Sequence, residues 1–85
     1  MFNKLENLKK RLIYRASYRG TKEMDILLGT FVNKFINTFD EEQLNELENF
    51  LNFDDELILN YYHNEIVNNN IDQNKVSKIF KNFKI

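Results

Sequence analysis

The side chains with the clearest potential for chemistry gather in one short stretch between two helical patterns. This stretch, called the corner below, comprises residues 19–25 and reads Arg-Gly-Thr-Lys-Glu-Met-Asp. Gly20 has no side chain, so its backbone can approach another surface closely or take the positive φ that ends many helices. Arg19 offers a planar fork of donors and Glu23 an acceptor. We interpret the corner as a small contact patch of both charge signs; the alternative is a plain helix end with Arg19 and Glu23 paired at the surface.

The rest of the chain offers few groups for catalysis. His63 is the single histidine and there is no cysteine, which excludes a zinc site built on histidines or thiolates and a Ser-His-Asp arrangement with a spare ligand. Asp54, Asp55 and Glu56 are adjacent, which suits a helix cap better than an acid/base pair held across a cleft. We expect no catalysis by this chain, no metal site, and a surface position for His63.

Length and composition limit the architecture. A chain of 85 residues predicts one domain, residues 1–85, with a core too thin to enclose a deep cavity. No apolar run is long enough to span a membrane, and the first residues lack the apolar centre of a secretory signal. The absence of cysteine fits a reducing compartment. We therefore expect a protein without membrane insertion.

Charge is distributed unevenly along the chain. The charged residues within 1–22 are all basic apart from Glu6, and those within 23–56 are all acidic apart from Lys34. Such asymmetry favours a partner met through complementary fields, although solvated helix faces would give the same pattern. A basic first helix followed by a glycine turn also leaves a nucleic-acid or regulatory binding module as the alternative function. The second helix argues against it, because Glu23 and Asp25 would repel phosphates.

Apolar periodicity predicts two helices on either side of the corner. Leu5, Leu8 and Leu12 have helical spacing in a first helix over about residues 3–18, and a broad apolar face predicts a second over about residues 21–38. Gly29 lies inside the second helix, where glycine costs ~1 kcal/mol relative to alanine. Close contact with another helix is the simplest reason for a glycine there.

Three further helix starts share one signature, an apolar residue, an aspartate, and a second apolar residue four positions later. These are Phe39-Asp40 with Leu44, Phe53-Asp54 with Ile58, and Ile71-Asp72 with Val76. Each fits an aspartate N-cap with a hydrophobic staple. Gln43 completes a capping box after Asp40, and Asp55 could replace Asp54 as the second cap. The predicted helices span residues 41–51, 55–64 and 73–83, which makes the chain an all-α, five-helix bundle.

The corner and its flanks resemble a known family. The string Arg19-Gly20-x-x-Glu23-x-Asp25, with Arg-Leu-Ile-Tyr at residues 11–14 before it and an apolar helix after it, resembles the small assembly factors that promote covalent FAD attachment to the flavoprotein subunit of succinate dehydrogenase. The likeness continues at residues 39–44 and 54–57. Members of this family often carry a tryptophan where Tyr61 aligns. We interpret the tyrosine of this chain as a substitution that fills most of the same space in the core.

The resemblance implies a function through a partner. It implies that the chain binds the flavoprotein subunit of succinate dehydrogenase transiently, that the histidine forming the flavin bond belongs to that partner, and that this chain holds no cofactor tightly. Fumarate reductase is a second partner to consider. By analogy the partner-binding residues are Arg19, Gly20, Glu23 and Asp25. We expect the chain to be a monomer. We also expect it in the bacterial cytoplasm, because residues 1–3 leave no room for a mitochondrial transit peptide.

Overall fold

Helices make up all regular secondary structure in the part of the chain that the computed structural model describes, residues 4–63, 65 and 70–84. They are α1 (Lys4–Ser17), α2 (Lys22–Phe35), α3 (Glu41–Leu51), α4 (Asp55–Tyr62) and α5 (Lys75–Lys81), with 3₁₀ turns at Ile36–Thr38 and Asn70–Gln73. The all-α prediction with five helices is confirmed. None of these helices is long and apolar enough to cross a membrane.

The first two helices form a hairpin whose contact passes through a glycine. Leu12 and Ala16 of α1 are buried, and α2 buries one broad face. Gly29 of α2 is itself buried against Ser17 of α1, and a Cβ at position 29 would lie 3.3 Å from the Ser17 Oγ. The predicted close helix contact at Gly29 is confirmed.

Three of the helix starts, those of α2, α3 and α5, have side-chain caps. The Thr21 hydroxyl accepts from the Met24 amide at 3.2 Å and caps α2. Asp40 accepts from the Gln43 amide at 2.8 Å, and the Gln43 side chain accepts from the Asp40 amide at 3.0 Å. This reciprocal pair is the capping box that the sequence predicted for α3.

The predicted cap of the last helix is wrong. Asp72 lies in a 3₁₀ turn, and the N-cap of α5 is Asn74, whose Oδ1 accepts from the Val76 and Ser77 amides. The Asn74 Nδ2 donates to the Glu46 carbonyl of α3 at 2.8 Å. An aspartate has no donor for that second bond. The Asn74 side-chain amide therefore caps α5 and also joins α5 to α3. As a result, α5 begins at Lys75 instead of residue 73.

Other boundaries also differ from the prediction. The α-helical part of the second helix ends at Phe35 and tightens into the 3₁₀ turn. The fourth helix ends at Tyr62, and Asn64, where its end was predicted, lies outside the described residues. Last turns of helices commonly tighten in this way, and periodicity alone does not show it.

Aromatic rings bring the C-terminal helix into the core. Phe80 of α5 packs against Phe31 of α2, Phe50 of α3 and Tyr62 of α4, with ring centroids 5.1, 5.2 and 4.8 Å apart. Phe80 is fully buried, so α5 closes the bundle. Tyr61 is also buried, which agrees with the packing role predicted for it. Burial raises the pKa of its phenol.

Candidate functional site

The corner joins the end of α1 to the start of α2 and is held against the start of α4. Gly20 is exposed and does not lie in the left-handed region, so the positive φ that glycine allows is not adopted here. Its amide donates to the Asp55 Oδ2 at 2.8 Å, and a Cβ at position 20 would lie 3.0 Å from that same oxygen. Glycine is favoured here because the Asp55 carboxylate approaches the backbone closely.

All three side-chain nitrogens of Arg19 donate hydrogen bonds to other residues of the chain. Nε donates to the Asp55 Oδ1 at 2.7 Å, Nη1 to the Leu51 carbonyl at 2.9 Å and Nη2 to the Phe53 carbonyl at 2.9 Å. The side chain is only 11% exposed. Leu51 is the last residue of α3, so the guanidinium also satisfies a carbonyl at a helix C-terminus, where positive charge is favourable. We call these contacts, with the Gly20–Asp55 bond, the clamp.

The clamp corrects the interpretation of Arg19. The Arg19 guanidinium is not free to donate to a partner, because its nitrogens donate to the Asp55 carboxylate and to two backbone carbonyls. The surface pair of Arg19 with Glu23 is wrong as well. Any contribution of Arg19 to a partner interface therefore acts through the position that it gives to the turn, and this contribution stays a prediction.

The other two predicted residues differ in exposure. The half-buried Asp25 accepts a hydrogen bond from the Arg19 backbone amide and closes the turn. Glu23 is exposed in the first turn of α2, and its side chain has no hydrogen bond or ion pair within residues 4–63, 65 and 70–84. All four residues thus lie at the junction of α1 and α2, with Arg19 and Gly20 in the turn and Glu23 and Asp25 at the start of α2. Arg19 and Asp25 hold that turn, while Gly20 and Glu23 are exposed on it.

Asp55 is the site residue that the sequence analysis did not assign. It appeared only as an alternative cap, whereas Asp54 occupies the N-cap position of α4 without a side-chain cap bond. The signal was the pair of adjacent aspartates at one helix start. Only one of them can be the N-cap, so the other is available for a contact elsewhere in the chain.

Part of the basic face of α1 is used in packing. The Arg11 Nη2 lies 3.2 Å from the Glu48 carboxylate, and the Arg15 Nη2 donates to the Asn52 side chain at 2.6 Å. Both contacts bind α1 to the α3 region, which reduces the basic surface that a nucleic acid could use. Within the described residues, no group of three or more His, Cys, Asp or Glu side chains is placed to hold a metal ion. His63 is exposed at the end of α4, as predicted.

The fold and the corner define a small all-α bundle with a clamped turn between its first two helices. The family described as flavinator of succinate dehydrogenase matches residues 10–84, and the chain belongs to it. The stretch matched includes the corner, the clamp and α5. The family resemblance found in the sequence is confirmed.

Individual relatives match over a shorter stretch. The chain is 45% identical over 47 residues to the FAD assembly factor SdhE of Acetobacter pasteurianus, covering 55% of this chain and 43% of that protein. It is 44% identical over 48 residues to the mitochondrial succinate dehydrogenase assembly factor 2-B of Drosophila yakuba, covering 56% of this chain and 31% of that protein. The matched stretch therefore spans less than half of each relative.

Proposed function

We propose that this chain binds the flavoprotein subunit of succinate dehydrogenase and promotes covalent attachment of FAD to a histidine of that subunit. The chain supplies no catalytic residue and holds no tightly bound cofactor. Its contact surface is the exposed part of the corner, Gly20 and Glu23, on a turn held by Arg19 and Asp25. The observation that carries the proposal is the family match over residues 10–84, which includes the whole corner.

The physical role is a shift in the partner's conformational equilibrium. A binding protein favours one state of its partner only by as much as it binds that state more tightly than the others. This chain would bind most tightly to the flavoprotein conformation in which FAD lies against the histidine. The bond would then form with the partner's own groups, and the chain would leave when the product no longer has the preferred surface.

The geometry of the corner suits such a contact. Gly20 offers backbone without a side chain, so a partner surface can approach it closely. The clamp fixes this turn from one side through the Asp55 carboxylate, which bonds both the Gly20 amide and the Arg19 Nε. A turn that is already ordered loses less conformational entropy on binding.

The direct test is a reconstituted flavinylation reaction. Apo-flavoprotein, FAD and the chain are mixed, and protein-bound flavin is measured by its fluorescence in a denaturing gel. Wild type should raise the covalent flavin, while Gly20→Arg and Glu23→Arg should abolish the increase. Glu41→Arg is the matched control, because Glu41 is also an exposed glutamate in the first turn of a helix, away from the corner.

Two results would contradict the proposal. The first is no increase in covalent flavin when the flavoprotein is folded. The second is full activity of Gly20→Arg, which would remove the close-approach argument. Circular dichroism melts of each variant show whether a loss of activity is merely a loss of folding.

Partner range and location follow from the same proposal. The flavoprotein of fumarate reductase is a second substrate for the assay, and a gain there would extend the function. The cytoplasmic location and monomeric state predicted from the sequence stay predictions, checked by cell fractionation and by sedimentation.

A further inference from the structure

A shallow groove lies between α2 and α4 beside the corner. Its first hollow, about 370 Å³, is lined by Thr21, Glu23, Met24, Asp55, Glu56 and Leu59. Its second, about 270 Å³, is lined by Glu23, Ile26, Leu27, Leu59, Tyr62 and His63. The hollows share Glu23 and Leu59, so they form one continuous groove that begins at the corner and runs toward the end of α4.

The two hollows differ in charge. Glu23 and Glu56 are both exposed at the first hollow, and neither carboxylate has a hydrogen bond or ion pair within the part of the chain that the structure describes. The apolar side chains of Met24 and Leu59 line the same hollow. Placement in the first turns of α2 and α4 explains why carboxylates are tolerated there. Met24 belongs to the core and Leu59 packs against it, so the base of this hollow is the edge of the core.

The second hollow is apolar over most of its lining. Ile26 is 51% exposed at this hollow, so its aliphatic side chain is open to contact with a partner. The Tyr62 ring is held in place because its hydroxyl donates to the Phe83 carbonyl at 2.6 Å and its face packs on Phe80. The hollow thus has one rigid aromatic wall and one exposed aliphatic wall.

We propose that this groove receives a basic segment of the flavoprotein partner, with a Lys or Arg side chain in the first hollow and an apolar side chain in the second. This inference rests on the proposed function. A lysine or arginine stem can lie along Met24 and Leu59 while its charged end reaches the carboxylates of Glu23 and Glu56. The two hollows are about one helical turn apart along α2, ~5 Å, which neighbouring side chains of one segment can span.

Charge and continuity select this occupant. Glu23 and Glu56 line the first hollow, and no lysine or arginine of the described residues lines either hollow, so the first hollow attracts a positive side chain. The groove also adjoins Gly20 through Thr21 and Asp55, so a partner seated on the corner would cover it without moving. Glu56 and Leu59 would then be specificity residues of the interface, outside the corner itself.

The first experiment measures binding of the labelled chain to apo-flavoprotein at low and high salt. Glu56→Gln should weaken binding roughly three-fold and flatten its salt dependence, and Glu56→Arg should weaken it roughly ten-fold, because an attraction becomes a repulsion. Glu41→Arg is the control and should change the Kd less than about two-fold. Wild-type affinity of Glu56→Arg would overturn the groove proposal while leaving the proposed function in place.

The second experiment identifies the occupant. A photo-crosslinking amino acid at Ile26, with Tyr14 on the exposed side of α1 as the control position, is activated in the complex with the flavoprotein. Crosslinked flavoprotein peptides from position 26 should contain a lysine or arginine within a few residues of the attachment point. Attachment to an acidic segment, or to a second copy of this chain, would overturn the proposal. Failure of wild type to bind the flavoprotein at all would instead remove the proposed function, and this inference with it.

Discussion

Replacing Arg19 by alanine tests the clamp most directly. The substitution removes one hydrogen bond to the Asp55 carboxylate and two to the carbonyls of Leu51 and Phe53. It leaves the Asp55 carboxylate without its ion pair. Removing one partner of a buried pair costs ~3 to 5 kcal/mol. The Asp55 side chain is 25% exposed, so water recovers part of this loss, and we expect a loss of roughly 2 to 3 kcal/mol in the free energy of unfolding.

That loss is large for a domain of 85 residues. About 1 kcal/mol lowers the Tm of such a domain by roughly 4 to 8 °C, so Arg19→Ala should melt roughly 10 to 20 °C below wild type. Thermal and urea unfolding followed by far-UV circular dichroism measure this difference. Arg11→Ala is the matched control, since Arg11 is 60% exposed in its ion pair with Glu48 and its loss should cost below ~1 kcal/mol.

The pairwise contribution is separated by a double-mutant cycle. Arg19→Ala combined with Asp55→Ala should destabilise by less than the sum of the two single changes, because each single change leaves one charge unpaired. If Arg19→Ala melts within about 2 °C of wild type, or no lower than Arg11→Ala, the clamp does not stabilise the fold. Arg19 would then have to be reconsidered as a direct contact residue.

Three further predictions concern the scaffold. Gly29→Ala should raise stability by about 1 kcal/mol in a Ser17→Ala background and by less in wild type, because the new Cβ would lie 3.3 Å from the Ser17 Oγ; equal gains in urea melts would contradict this. Asn74→Ala should cost about 2 kcal/mol and Asp72→Ala below ~0.5 kcal/mol, and the reverse order would restore Asp72 as the cap. Burial raises the pKa of Tyr61, so the folded state keeps its phenol proton above pH 10.0 while the unfolded state loses it. Stability should therefore fall as pH rises above that value, by at most ~1.4 kcal/mol per pH unit from this group, and Tyr61→Phe should show a smaller fall in melts at alkaline pH.

Local patterns predicted the helices because local physics decides them. The capping box of Asp40 and Gln43 depends on residues three apart, and it was found where the sequence indicated. The apolar stripe of the second helix likewise predicted which side of α2 is buried. Gly29 could be interpreted correctly because a glycine inside a helix lowers its stability, and the close approach of another helix is the simplest reason for one there.

The prediction for the last helix failed because two arrangements were locally similar. Asp72 with Val76 and Asn74 with Ser77 both place a capping residue before a helical run. The choice depends on the Glu46 carbonyl, which lies in another helix and accepts from the Asn74 amide group. Local sequence does not contain that contact.

The sequence by itself determined the helical class, most helix starts and the family, because these depend on spacing within a few residues and on a motif read in order. Only the tertiary structure decided what the motif residues do. Arg19 meets Asp55 across thirty-six positions of the chain, and that contact turns the guanidinium inward while Gly20 and Glu23 remain exposed. Hydrogen bonds between distant segments depend on how helices pack, so the division between holding and exposed residues is a property of the bundle.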